Sequence, residues 1–94
     1  MHFTFDPKKD AANIAKHGLS LADAPLVFEA PHKLTLESPR PDELRLMDVA
    51  LVEVAGVVLV LVYVRREPDV VRAISLRRAS KQERKLYASW QEAH

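Results

Sequence analysis

The 94-residue chain contains no cysteine, which excludes disulfide staples, thiolate zinc sites and cysteine nucleophiles, and suits a reducing cytoplasm. Gly18 and Gly56 are its two glycines, too few for a glycine-rich phosphate loop. No nucleophilic serine motif is present either, so nucleotide-hydrolysing and acyl-transfer classes drop out. The longest nearly unbroken apolar run, Val54 to Val64, is well short of the roughly 20 residues of a membrane-spanning helix. Met1-His2-Phe3-Thr4-Phe5 lacks the basic stretch and apolar segment of an export signal. With no internal repeat, low-complexity tract or linker, the expectation is one cytoplasmic domain over residues 1–94, built on one core and without membrane contact.

What is present reads as an ordinary globular chain, 48% hydrophobic and 29% charged, far from the composition of disorder. The net charge of +1 hides an asymmetry. Residues 1–64 carry 6 Lys/Arg against 9 Asp/Glu, while residues 65–94 carry 8 against 4. Arg65, Arg66, Arg72, Arg77, Arg78, Lys81, Arg84 and Lys85 supply the basic end. Such a local field attracts polyanions, unless it is a solvated face paired with the acidic half.

Local signals divide the chain. Asp6-Pro7 caps and opens a helix over about Pro7–Lys16, and Lys16-His17-Gly18 stops it. Ser20-Leu21-Ala22-Asp23 resembles a capping box with Asp in place of Glu, opening a second helix that ends before Pro31 and is flawed by Pro25. Strands are expected at His32–Leu36, Leu44–Val54, Val57–Val64 and Val70–Arg77. Ala55-Gly56 reads as a tight hairpin turn and Arg66-Glu67-Pro68-Asp69 as a longer one. Val57–Val64 is apolar on both parities and predicts a central strand covered on both faces. Ser80-Lys81-Gln82-Glu83 is a capping box for a last helix through about Trp90, packed through Leu86 and Trp90. The fold class is α+β: two N-terminal helices, a mostly antiparallel four-stranded sheet and a C-terminal helix.

The stretch Val70 to Tyr87 is the most informative. If Ile74 and Leu76 face the core, alternation sends Ala73, Ser75 and Arg77 to the other face, near Lys81 and Arg84 at the helix start. The resulting cationic groove suits RNA. The 2′-hydroxyl of RNA can attack its own adjacent phosphate, so the protein need only position the strand, move protons and stabilise the phosphorane charge. The alternative is that Arg77, Arg78 and Arg84 form surface ion pairs with Glu83, Asp69 and Glu67. Of four histidines only His17 has a defined setting, which a helix C-terminal role also explains. Glu43 and Arg45 read as an acid–base carboxylate beside a phosphate-binding arginine, or as a charged strand edge. No metal or other cofactor is implied.

The order of motifs resembles the BrnT family of type II toxins, whose fold is similar to that of RelE-type ribonucleases. The resemblance covers nearly the whole chain: Phe5-Asp6-Pro7, Lys9–Asn13, Lys16-His17-Gly18, Ser20–Ala24, Val27-Phe28, Leu34-Thr35-Leu36, Glu43 and Arg45, Val60–Tyr63, Arg66, Arg72–Ser80, Glu83-Arg84 and Tyr87. It implies an mRNA-interferase type endoribonuclease that inhibits translation and growth, neutralised by a BrnA-like ribbon-helix-helix antitoxin. DNA contact then belongs to the antitoxin, in an expected toxin–antitoxin heterotetramer, while the edge strands, which must be protected from pairing with another chain, leave a homodimer as the alternative. Matching positions make His17, Glu43, Arg45, Arg72 and Arg77 the catalytic candidates and Arg66, Arg78, Lys81 and Arg84 the RNA-contacting ones. Departures at Pro25, Leu46, Ala50 and Val64-Arg65 keep a second reading open, an antitoxin-binding module acting only in operon autoregulation.

Overall fold

A computed structural model describes residues 1–38 and 44–94; Glu43 lies outside them. In chain order the elements are β1 (His2–Thr4), α1 (Pro7–His17), a 3-10 turn (Leu21–Asp23), α2 (Ala24–Phe28), β2 (Lys33–Ser38), β3 (Arg45–Val52), β4 (Val57–Glu67), β5 (Val70–Arg78) and α3 (Lys81–Ala93). The strands form one sheet in the order β1-β5-β4-β3-β2.

The sheet corrects the four-stranded expectation. It is five-stranded and mixed, because β1 pairs with β5 in parallel, His2 opposite Val70 and Thr4 opposite Arg72. Where β1 ends, Asn13 of α1 takes over the exposed β5 edge. Its side-chain amide donates to the Leu76 carbonyl at 2.8 Å and accepts from the Leu76 N–H at 3.2 Å. One asparagine thus satisfies the two backbone groups that a further strand residue would otherwise pair.

The caps of α1 form as expected. Asp6 accepts from Lys8 N–H at 2.8 Å, Pro7 occupies the first turn, and Gly18 closes the helix at φ 71°. The second helix does not run through. Ser20 accepts from Ala22 N–H at 3.1 Å, but the partner carboxylate is Asp10 of α1, which accepts from Leu21 N–H at 2.7 Å and from Ser20 Oγ at 3.0 Å. A 3-10 turn follows, so Pro25 falls in the first turn of the short α2, where its missing N–H costs no helical bond.

The two hairpin turns exchange lengths relative to expectation. Residues 53–56 make the longer one, closed by Gly56 at φ 67°, a conformation that favours glycine. Between β4 and β5 only Pro68 and Asp69 intervene, because both strands run past a bulge at Arg66.

β4 is central, as its apolar parities require. One face carries Leu59, Leu61 and Tyr63 into a core with Val71, Ala73 and Leu76 of β5 and Leu21, Ala24 and Val27. The other carries Val60 into a smaller core with Val49, Ala79 and Tyr87. α3 covers only part of this second face, through Tyr87, which is 3% exposed; Leu86, expected in the packing stripe, is 48% exposed. Tyr87 Oη donates to the His32 carbonyl at 2.7 Å and accepts from Leu51 N–H at 3.2 Å, pinning α3 to the ends of β2 and β3.

Candidate active face of the sheet

The second face of the sheet continues beyond α3 as a half-buried surface. Strand register builds it in rows. Leu34, Val49, Val60 and Arg77 form one row and Leu36, Met47, Val62 and Ser75 the next. Alternation from Leu46, which packs in the larger core, turns Arg45 toward this second face, beside Ser38. Arg72 stands between Val71 and Ala73 of the larger core, so it projects to the same face, opposite Val64. Rows are about 7 Å apart, so arginines on either side reach over the Met47–Val62–Ser75 row.

That convergence depends on a bulge. Val62 pairs with Ser75 but Tyr63 pairs with Ala73, leaving Ile74 as the extra residue of β5. Strict alternation places positions 72 and 77 on opposite faces; the inserted Ile74 brings both arginines to one. The same shift corrects the expected core side of β5: Ala73 is buried with Val71 and Leu76, and Ile74 is half-buried at the edge.

His17 arrives at this row from the side. α1 runs along the β5 edge held by Asn13, and His17 lines a cavity of about 210 Å³ with Lys9, Ala12, Asn13, Lys16, Ile74 and Ser75. An imidazole and two lysines therefore border the Ser75 end of the face.

The arginines differ electrostatically. Arg77 is a bidentate donor to Glu83, at 2.7 Å to Oε1 and 2.9 Å to Oε2. This raises its pKa through the Glu83 hydrogen bond, against the cost of burial. Glu83 in turn is held at about 2, mainly by Arg77, with the Ser80 backbone contributing, as the capping box with Ser80 closes. Arg72 has no side-chain hydrogen bond or ion pair among the described residues, leaving its charge available to a phosphate. Arg45 is half-buried at the start of β3.

The RNA-contacting candidates do not share one groove. Arg66 is exposed near the end of β4 and Lys81 is exposed at the start of α3. Arg78 and Arg84 line a separate cavity of about 230 Å³ at the β3–β4 hairpin with Leu51, Val58 and Ala79, and Arg84 donates to the Ala79 carbonyl at 3.0 Å. Among the described residues no cluster of three or more His, Asp or Glu side chains is placed to hold a metal ion, and no helix is long and apolar enough to cross a membrane.

Because Glu83 is depressed, the stability it confers is complete above its unfolded value of 4.5 and is lost as pH falls from 4.5 toward 2. Glu83→Gln is expected to cost about 2 kcal/mol at pH 7 and to flatten this part of the stability profile. Denaturant titrations of both proteins at pH 7, 4 and 2.5 check it; equal pH slopes would refute the assignment.

The family model described as "Ribonuclease toxin, BrnT, of type II toxin-antitoxin system" matches residues 5–83. The chain belongs to the BrnT family. A solved relative agrees: the 1.1 Å crystal structure of the Brucella abortus ribonuclease toxin BrnT superposes with a TM-score of 0.68 at 25% identity, covering 86% of this chain and 99% of that one. No curated protein sequence matches. The BrnT match spans α1 through the start of α3 and so includes the bulged β5 and both of its arginines. As a BrnT-family ribonuclease toxin of a type II system, the chain has an antitoxin as partner.

Two features of this BrnT-family fold escaped the sequence reading. Asp48, flanked in β3 by Leu46, Met47, Val49 and Ala50, is fully buried and accepts from Lys33 Nζ at 2.8 Å, Thr35 Oγ1 at 2.7 Å and Tyr63 Oη at 3.1 Å. Burial and the Asp48 charge push the Tyr63 phenol up, and the Lys33 ammonium lies 3.8 Å above the Phe28 ring. The second is Asn13. A lone Asp in a Val/Leu strand was the one available signal for the first; no local pattern marks the second.

Proposed function

We propose that the chain is a metal-independent endoribonuclease whose active surface is the open sheet face around Ser75. The observation that carries this reading is the bulge at Ile74, which sets Arg72 and Arg77 on one face beside His17. An RNA strand lying there has its scissile phosphate over the Val62–Ser75 row. Its 2′-hydroxyl attacks that phosphorus and loses its proton to a base, the P–O5′ bond breaks, and the 5′ oxygen takes up a proton. The products are a 2′,3′-cyclic phosphate and a 5′-hydroxyl. Arg72 and Arg45 bind the phosphorane oxygens, and Arg77, oriented by Glu83, completes the positive rim. His17 moves the protons, with Glu43 the alternative carboxylate. Arg66, Arg78, Lys81 and Arg84 extend contact to flanking phosphates.

Cleavage of messenger RNA inhibits translation in the cytoplasm. Neutralisation falls to a BrnA-like ribbon-helix-helix antitoxin, in a heterotetramer that touches DNA through the antitoxin alone. The purified protein is expected to cleave RNA in excess EDTA and to leave 2′,3′-cyclic phosphate ends, read by end-specific ligation. Loss of activity in EDTA, restored by a divalent ion, removes the metal-independent reading. A second reading rests on the Arg77–Glu83 pair, which occupies one guanidinium of the face: the chain has lost catalysis and serves only antitoxin binding. Folded protein without RNA cleavage supports it.

A further inference from the structure

We propose that the cavity between α3 and the start of β2 binds a nucleobase of the RNA strand lying on the sheet face, an inference that rests on the ribonuclease reading above. The cavity, about 170 Å³, is lined by His32, Trp90, Gln91 and His94. Three rings form a column beside it. Trp90 stacks on Tyr87 at 5.9 Å between centroids and 28° between planes, and His94 follows Trp90 at 5.1 Å and 30°.

Hydrogen bonds hold both ends of the column. Its inner rung, Tyr87, is buried and tied by its hydroxyl to His32 and Leu51; its outer rung, His94, is tied through Nδ1 to the Trp90 carbonyl at 2.9 Å. Core packing accounts for the inner face of Trp90 but not for what surrounds the opening. Two imidazoles and a carboxamide offer hydrogen-bonding edges around a flat π surface, the combination by which unstacked RNA bases are held.

The position connects the cavity to the active face. Leu34 and Leu36 of β2 lie against the α3-side core, and Ser38, on the same parity, pairs with Arg45. From His32 to Ser38 the chain extends about 20 Å, the span of a few nucleotides. A strand whose phosphate sits between Arg45 and Arg72 can therefore place a base a few nucleotides away in the cavity, against the His32, Trp90 and His94 rings. This assigns Trp90, His94, His32 and Gln91 to substrate binding.

Trp90 is the only tryptophan, so intrinsic fluorescence reports on the cavity directly. The probe is a 2′-O-methyl RNA heptamer, which lacks the attacking hydroxyl and is not cleaved. It is expected to quench Trp90 saturably, whereas an abasic heptamer of equal charge and adenosine monophosphate at equal concentration are not. His94→Ala and His32→Ala, both at exposed positions, are expected to weaken heptamer binding about five- to tenfold with unchanged circular dichroism. Trp90→Phe retains most of the affinity. Unchanged fluorescence on heptamer binding, equal quenching by the abasic strand, or equal quenching by the mononucleotide overturns the proposal. Natural RNA cleaved by a protein whose Trp90 ignores the heptamer leaves the ribonuclease reading standing without the base site. Quenching without cleavage does the reverse.

Discussion

Arg72→Ala is expected to abolish growth arrest on induction and to lower RNA cleavage by roughly 10²–10³-fold, the scale of losing one group that stabilises transition-state charge. Arg72 has no side-chain hydrogen bond or ion pair among the described residues, so its removal breaks no polar contact, and its strand bonds to β1 and β4 are made by backbone. The melting temperature should therefore hardly move. Arg77→Ala differs in kind. It leaves Glu83 without its bidentate donor and is expected to cost about 1–2 kcal/mol of stability as well as activity. The double variant, with folding confirmed by circular dichroism, is the decisive toxicity control. Arrest that persists in it places the chemistry elsewhere; a parent that never arrests growth supports the antitoxin-binding module.

The largest stability effect is expected at Asp48. Asp48→Ala strips Lys33, Thr35 and Tyr63 of their common acceptor and leaves the Tyr63 hydroxyl in the core without a partner. Breaking a buried pair by removing one member costs about 3–5 kcal/mol, and at about 4–8 °C per kcal/mol for a domain of this size the melting temperature should fall by about 12–40 °C. Calorimetry measures this. A fall below about 5 °C would show that the cluster contributes little to stability. Replacing Asp48 and Lys33 together by apolar residues of similar volume should recover much of the loss.

Features set by neighbouring residues were legible from sequence. The Asp6-Pro7 start, the Gly18 stop and the Ser80–Glu83 capping box are formed by side chains within a few positions of the backbone groups they satisfy. The both-parity apolar run of β4 was legible because a central strand needs it. Distant pairings were not. β1 is three residues long, too short for periodicity, and its partner strand begins at Val70. Asp10 caps the chain at Leu21 from another helix, which reading Ser20–Asp23 alone could not show. For the site, the residue types were legible and their arrangement was not. Strict alternation separates Arg72 from Arg77, and only the register of β4 against β5 reveals the extra residue between them. Glu43 lies outside the described residues.

The asparagine that finishes the β5 edge also sets how late in synthesis the candidate face can form. A chain leaves the ribosome N-terminus first, so α1 emerges while the backbone that Asn13 must grip, 63 residues later, does not yet exist. Until Leu76 has been synthesised, nothing holds His17 beside Ser75, and Arg72 and Arg77 have no common face. On the proposed ribonuclease reading, the candidate face can therefore form only after residue 77 of the 94 has been synthesised.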